Sequence, residues 1–401
     1  MQFARTRLIQ ATDFLAVAVA VSLPWSTSAT GILVTLWMLA LIPTLDWAGV
    51  RRELVTPAGG LPVLLIMFGA LGMAWADAPL GERLSGLEPF IKLLVIPLLL
   101  VQFRRSDRGV WVVGGYLVAC IILLVISAWS QFVPAFPILP MQLNHVLVKN
   151  EATQSGEFVT CIFGMLFLAI ECFERRRFFW LVGLLAAVLG MLANIFYVAT
   201  GRTALVVIPV LLVLLAAKKL NAKGRAVLFA AVILVGAVGW LSSPYLRQRT
   251  TDVWTDFKKY EATDDRNSSG ERVEFWKKSI TFVRESPILG HGTGSMHSLF
   301  IKSSIGQTGA AGSATTNPHN QTFAVAIQLG LLGAAVLWAM WVAHLLLFRG
   351  SGLAEWIGLV IVVQNIVGSL FNSHLFDFDQ GWVYVFGVGV AGGMVLKRRP
   401  P

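Results

Sequence analysis

The chain has 401 residues, of which 56% are hydrophobic and 13% charged, and its mean hydropathy is +0.70. Soluble domains carry about 25% charged residues, so these values exclude a soluble globular fold and read as a polytopic membrane protein. The formal net charge of +10 is scattered over short loops, which argues against a nucleic-acid-binding patch and for topology signals and contact with anionic lipid.

Twelve apolar stretches follow in chain order, at about 10–24, 28–45, 60–76, 87–103, 109–129, 157–173, 178–198, 203–217, 225–242, 322–348, 353–372 and 380–396. They lack the short alternating pattern of barrel strands. The expected fold class is therefore all-α, a membrane protein with about 12 transmembrane helices. The first stretch lies behind Arg5 and Arg7 like a signal sequence. A second stretch follows so closely that a retained helix is expected. Arg51, Arg52, Arg104, Arg105, Arg108, Arg175, Arg176, Arg177, Lys218, Lys219, Arg349, Lys397, Arg398 and Arg399 fall in alternate connections. The positive-inside rule then places both termini in the cytoplasm. Cys120, Cys161 and Cys172 lie in or beside spans, so neither a disulfide framework nor a Cys-type metal site is expected.

Three parts are expected: residues 1–242 as spans one to nine, 243–321 as a large outer loop with a helical periplasmic subdomain, and 322–401 as the last three spans. A second outer loop, about 130–156, carries Phe132, Pro134, Phe136, Pro137 and Pro140 and is expected to lie along the membrane surface. Internal repeats, common in secondary transporters, are not evident.

Within the large loop, Ser268 and Glu271 have capping-box spacing. Val273, Trp276, Ile280 and Val283 follow at helical spacing, and Pro287 ends the run. Gly290-His291-Gly292-Thr293-Gly294 comes next, then a short helix near 295–303. The glycines read as a flexible loop or a phosphate cradle. The small-residue segment from Ser304 to Thr316 reads as a mobile lid.

Chemistry points to a few residues. His319, in Asn317-Pro318-His319-Asn320-Gln321, sits at the mouth of an apolar helix. An imidazole there suits a general base at physiological pH, and a capping histidine is the simpler alternative. Arg202 lies between two spans on the side that basic residues avoid, and Arg272 lies in a first turn where a cation opposes the helix dipole. Each is read as a phosphate clamp or as a headgroup or surface charge. Asp377, in the last outer loop, could orient His319, balance an arginine, or be an ordinary interfacial carboxylate. Asn320, Gln321 and His291 are further candidates. His291, His297 and His319 do not match a zinc spacing, and Asp264-Asp265 reads as a loop pair before a divalent-ion site. No nucleotide motif is present, so no cofactor and no metal are expected.

His319-Asn320, nine residues, then Gly330-Leu331-Leu332-Gly333 resembles the His-Asn-x9-Gly-x-x-Gly pattern of the O-antigen ligase family, which is related to O-antigen polymerases and bacterial O-oligosaccharyltransferases. The family's Arg-x3-Leu element is matched imperfectly, with Leu205 three residues after Arg202. The resemblance implies a metal-independent, inverting glycosyltransferase of the inner membrane with a periplasmic site. Its implied partners are an undecaprenyl-pyrophosphate-linked glycan donor, a lipid A–core acceptor and membrane lipid. It maps the catalytic histidine to His319, the pyrophosphate arginines to Arg202 and Arg272, and an acidic site residue to Asp377. A polymerase and a protein O-oligosaccharyltransferase are the alternatives within the family. A lipid-linked sugar flippase is the alternative outside it.

Overall fold

A computed structural model describes residues 2–131, 146 and 148–398. Most of the proline-rich outer loop, including Phe132, Pro134, Phe136, Pro137 and Pro140, lies outside the described residues, as does Arg399. The described chain is helical. The first half holds α1 (Gln2–Ser22), α2 (Thr27–Leu41), α3 (Trp47–Leu54), α4 (Pro57–Gly72), α5 (Leu80–Ile91), α6 (Val95–Arg105), α7 (Gly109–Trp129), α8 (Glu151–Glu174) and α9 (Phe178–Tyr197). The second half holds α10 (Arg202–Lys219), α11 (Ala222–Ser242), α12 (Pro244–Thr263), α13 (Ser268–Glu285), α14 (Met296–Ser304), α15 (Gln321–Leu347), α16 (Leu353–Gly368) and α17 (Phe378–Arg398).

All the apolar stretches read from the sequence fall on helices. Among the described residues, however, seven helices are long and apolar enough to cross a membrane, or up to eight if the bent pair α3–α4 is one span. The expectation of about twelve counted each apolar run as a crossing. α16 is apolar but only 16 residues long, short of the roughly 20 that a straight crossing uses.

Two apolar clusters form the bundle. One joins α1, α2, α4, α6, α15, α16 and α17; the other joins α7 to α10. α17 lies against α6 along Gly389, Gly392 and Gly393, where an added Cβ at Gly393 would come within 2.7 Å of the Phe103 Cβ. Small residues let helix backbones approach closely where lipid supplies no hydrophobic drive between helices.

The basic loops gather at one end of the bundle, tied by Arg104 to Glu53, Arg105 to Asp46 and Lys397 to Asp107. The other end carries α12, α13 and α14. Their small core of Phe275, Phe282 and Phe300 includes Ile327 of α15, so this segment is seated on the bundle. The buried face of α13 is Phe275, Ser279 and Phe282. The expected stripe is rotated away from it: Ile280 is exposed, and only Val283 packs partly against the core.

Candidate active site

The site is built where α8, α10, α13 and α15 begin. α15 is capped by Asn320, whose side chain accepts the Phe323 N–H at 3.1 Å. Just before the cap, His319 has φ 53, a left-handed conformation uncommon for residues other than glycine. Asn317 holds it there. Its Oδ1 accepts the His319 backbone N–H at 2.9 Å and the Ser373 hydroxyl at 2.7 Å. Gln321 pins the facing loop, because its Oε1 accepts the backbone N–H groups of Leu375 (3.0 Å) and Phe376 (3.1 Å). Asn320 and Gln321 therefore position the histidine loop.

The imidazole stacks on Phe275 of α13, with ring centroids 6.2 Å apart and planes 18° apart. Its Nδ1 lies 2.9 Å from Asn372 Oδ1, and Asn372 Nδ2 donates to Asp377 Oδ2 at 2.8 Å. The carboxylate orients the amide, since reversing it would set oxygen against oxygen. Asn372 Oδ1 can then only accept, so Nδ1 carries the hydrogen and Nε2 keeps the lone pair. Burial, and then the charge of Arg272, hold the His319 pKa below the usual imidazole value, against an opposing pull from the Asn372 bond and Glu271. A neutral imidazole with a free Nε2 is thus the resting form at neutral pH. Burial pushes Asp377 up to about 6, against the attraction of Lys92, with Asp379 adding to the rise. Lys92 also donates to the Asp377 backbone carbonyl at 2.8 Å, fixing the loop.

Arg272, whose charge reaches His319, lines a cavity of about 520 Å³ together with Lys149, Glu151, Arg202, Arg249 and Ser268, among others. The first residues of α8, α10 and α13 all border it. Helix N-termini present unpaired N–H groups and the positive end of the dipole, so three of them make an anion-binding wall. The arginines are poorly satisfied. Arg202 reaches Asp256 only at 3.7 Å and the Ser268 hydroxyl at 3.5 Å, and its buried Nε has no partner. Arg272 has no hydrogen-bond or ion-pair partner among the described residues. Burial, then the Arg202 charge, depress its pKa. Two close cations with one acid, Asp256, held at 3.7 Å from Arg202 are costly unless an anion joins them. Arg272 feels Arg202 on one side and acts on His319 on the other.

Two residues of this cavity were not singled out from the sequence. Lys149 (φ 62) precedes the Asn150 cap of α8 and bonds Asp379 at 2.6 Å. Arg249 of α12 pairs with Glu151 and keeps a buried, unpartnered Nε. Arg249 carried the same signal as Arg202, a cation on the side that basic residues avoid, but it was submerged in the charge-balanced loop.

Other candidates have structural places. His291 Nε2 contacts the Phe282 carbonyl at 2.8 Å, and His297 pairs with Glu82 at 3.2 Å. Asp264 is the left-handed cap that ends α12, its carbonyl receiving Ala310 N–H at 3.1 Å. The capping box is replaced: Asn267 caps α13, and Glu271 instead accepts from Arg266 and Ser313.

The glycine run is a docking segment, not a flexible loop. α15 breaks at Gly330 (φ 66, ψ −168), and the freed backbone bonds the incoming strand of chain: His291 N–H to Ile327 O (2.8 Å) and Leu331 N–H to Pro287 O (2.7 Å). Any Cβ on Gly330 would overlap the Ile288 carbonyl, which is the physical reason for glycine at that spacing from His319. The segment read as a lid is also tied down. Lys278 donates to the Ala311 and Ser313 carbonyls at 2.6 and 3.3 Å, because this small-residue chain offers its backbone where side chains are lacking.

Comparison with known proteins adds the family. The model described as O-Antigen ligase matches residues 186–338. Latent membrane protein 2 of Epstein-Barr virus is 30% identical over 117 residues, 27% of this chain and 23% of that protein. An uncharacterized protein of Haemophilus influenzae is 22% identical over 210 residues, 51% of each chain. The chain thus spans a quarter to a half of the curated relatives it matches, and neither printed name concerns a glycan. The family match covers Arg202, Arg272 and His319, and over residues 186–338 this chain is similar to the O-antigen ligase family.

Proposed function

We propose that the protein is an O-antigen ligase of the bacterial inner membrane, with both termini cytoplasmic and its site at the periplasmic face. It moves a glycan from undecaprenyl pyrophosphate to the lipid A–core of lipopolysaccharide. The observation that carries the reading is the under-paired arginine cavity, walled by three helix N-termini, next to a neutral histidine with a free Nε2.

The donor diphosphate sits against Arg202 and Arg272, with Arg249 and Lys149 at the margin. An acceptor hydroxyl attacks the anomeric carbon. The new C–O bond forms as the bond to the diphosphate breaks, and the electron pair leaves with undecaprenyl pyrophosphate. The guanidinium groups stabilise the charge that grows there, often the largest catalytic contribution. The acceptor proton passes to His319 Nε2, and the imidazolium so formed is supported through Asn372 by Asp377. Direct displacement inverts the anomeric centre. Positive charge is already supplied by side chains, so the reading includes metal independence.

The test is reconstitution of the purified chain with an undecaprenyl-pyrophosphate glycan and lipid A–core, with and without EDTA. Glycosylated lipid A–core formed in EDTA supports the ligase. A lengthened lipid-linked glycan instead assigns a polymerase, and a product only with pilin or another protein acceptor assigns an O-oligosaccharyltransferase. Movement of the donor across the bilayer without any transfer would return the flippase.

A further inference from the structure

A second cavity, of about 490 Å³, borders the histidine loop at Thr316 and Asn317. It is bordered by the start of α5, the Gly294–His297 segment, α15 and the loop before α17. Its chemistry is opposite to that of the arginine cavity. Glu82 and Asp377 line it, and neither lysine nor arginine does. One oxygen of Glu82 contacts His297, while the other is buried without a partner. Ser85, Thr316 and Ser373 add hydroxyl groups, while the Asn317 and Gln328 amides are bonded within the protein and shape the wall. Pro89, Ala324 and Phe376 supply apolar wall.

A phosphate would be repelled by this lining. A sugar ring suits it: carboxylate oxygens accept from hydroxyls, serine and threonine hydroxyls donate to or accept from them, and apolar wall covers C–H faces. The cavity also shares parts with the proposed base. Asn317, which holds the His319 backbone, and Asp377, which ends the Asn372 relay, both face into it. We infer that this cavity binds the hydroxyl-bearing, unphosphorylated sugar of the acceptor, with the Glu82 carboxylate as a specificity-determining group. The inference rests on the glycan-transfer reading above and extends it: the two substrates are sorted by charge into two cavities, one lined by Arg272, which acts on His319, and one by Asn317 and Asp377, which hold and support it.

The test uses the full chain in lipid nanodiscs and two variants, Ser85→Trp, which narrows the cavity from an exposed position on α5, and Glu82→Gln. With lipid A–core as acceptor and an undecaprenyl-pyrophosphate glycan as donor, Ser85→Trp should raise the acceptor KM by about tenfold or more, and Glu82→Gln by several-fold. Donor KM should stay within about twofold in both. Unchanged acceptor KM in Ser85→Trp, or a rise confined to donor KM, overturns the assignment. A binding arm separates this inference from the transfer reading. Dephosphorylated core oligosaccharide, followed by saturation-transfer NMR, should bind wild type and Arg272→Ala but not Ser85→Trp. Binding with that pattern in a protein that transfers nothing would keep the sugar cavity and discard the ligase. Transfer with equal binding by all three proteins would do the reverse.

Discussion

Arginines stand at both ends of this bundle, and their surroundings differ. At the end that collects the basic loops, Arg104 meets Glu53 at 2.7 Å, Arg108 meets Asp13 at 3.3 Å, and Arg105 is paired with Asp46 and half exposed. At the other end, Arg202 has only long contacts and Arg272 has none, within a cavity formed by three helix N-termini. The first set is neutralised within the protein and marks topology. The second is left under-neutralised, which the proposed reading assigns to an arriving diphosphate. Charge counts do not separate the two cases; pairing does.

Several experiments would break or sharpen that contrast. The largest effect is expected from His319→Ala, which removes the proton acceptor. Transfer should fall by about 10²–10⁴-fold while the melting temperature stays near wild type. Activity close to wild type would remove the base assignment. Next come the clamp arginines. Arg202→Ala and Arg272→Ala should each lower kcat/KM for the donor by about 10²-fold, with partial recovery in the lysine variants. Arg105→Ala, at the paired end, should leave donor kinetics unchanged. Equal losses at both ends would erase the distinction.

The pH profile gives a smaller, directional test. The His319 pKa is held below its usual value by burial and by Arg272, so protonation removes the base only on the acid side. Transfer should be level from neutral pH upward and fall in acid, where Asp377 also takes a proton near 6. Removing the Arg272 charge favours the imidazolium, so the acid limb of Arg272→Ala should move to higher pH. A limb that stays in place would separate the two residues electrostatically. The smallest change is expected from Arg249→Ala. Arg249 is already paired with Glu151, so donor KM should rise only a few-fold, by about the value of one partly screened contact.

The membrane class and the helical content were legible in the residues, and the sequence singled out Arg202, Arg272, His319 and Asp377, whose surroundings only the fold supplies. Hydrophobic runs must be satisfied as helices in lipid, and a cation on the side that basic residues avoid stands out without coordinates. The α13 face was misread because its partner, Phe300 with Ile327, lies far along the chain, and local periodicity cannot see it. Gly330 was legible as a motif glycine but not as the break that receives residues 287–292.

Composition and local pattern thus determined the kind of protein and which side chains carry reactive groups, because hydropathy and side-chain chemistry belong to each residue alone. Tertiary structure decided what those groups do to one another. The free Nε2 of His319 follows from Asn372 and Asp377 in a loop more than fifty residues later. The unpaired charge of Arg272 follows from the lack of an acid within ion-pair reach among the described residues. Pairing and burial set hydrogen bonds and pKa values, and both depend on distances that only the folded chain creates.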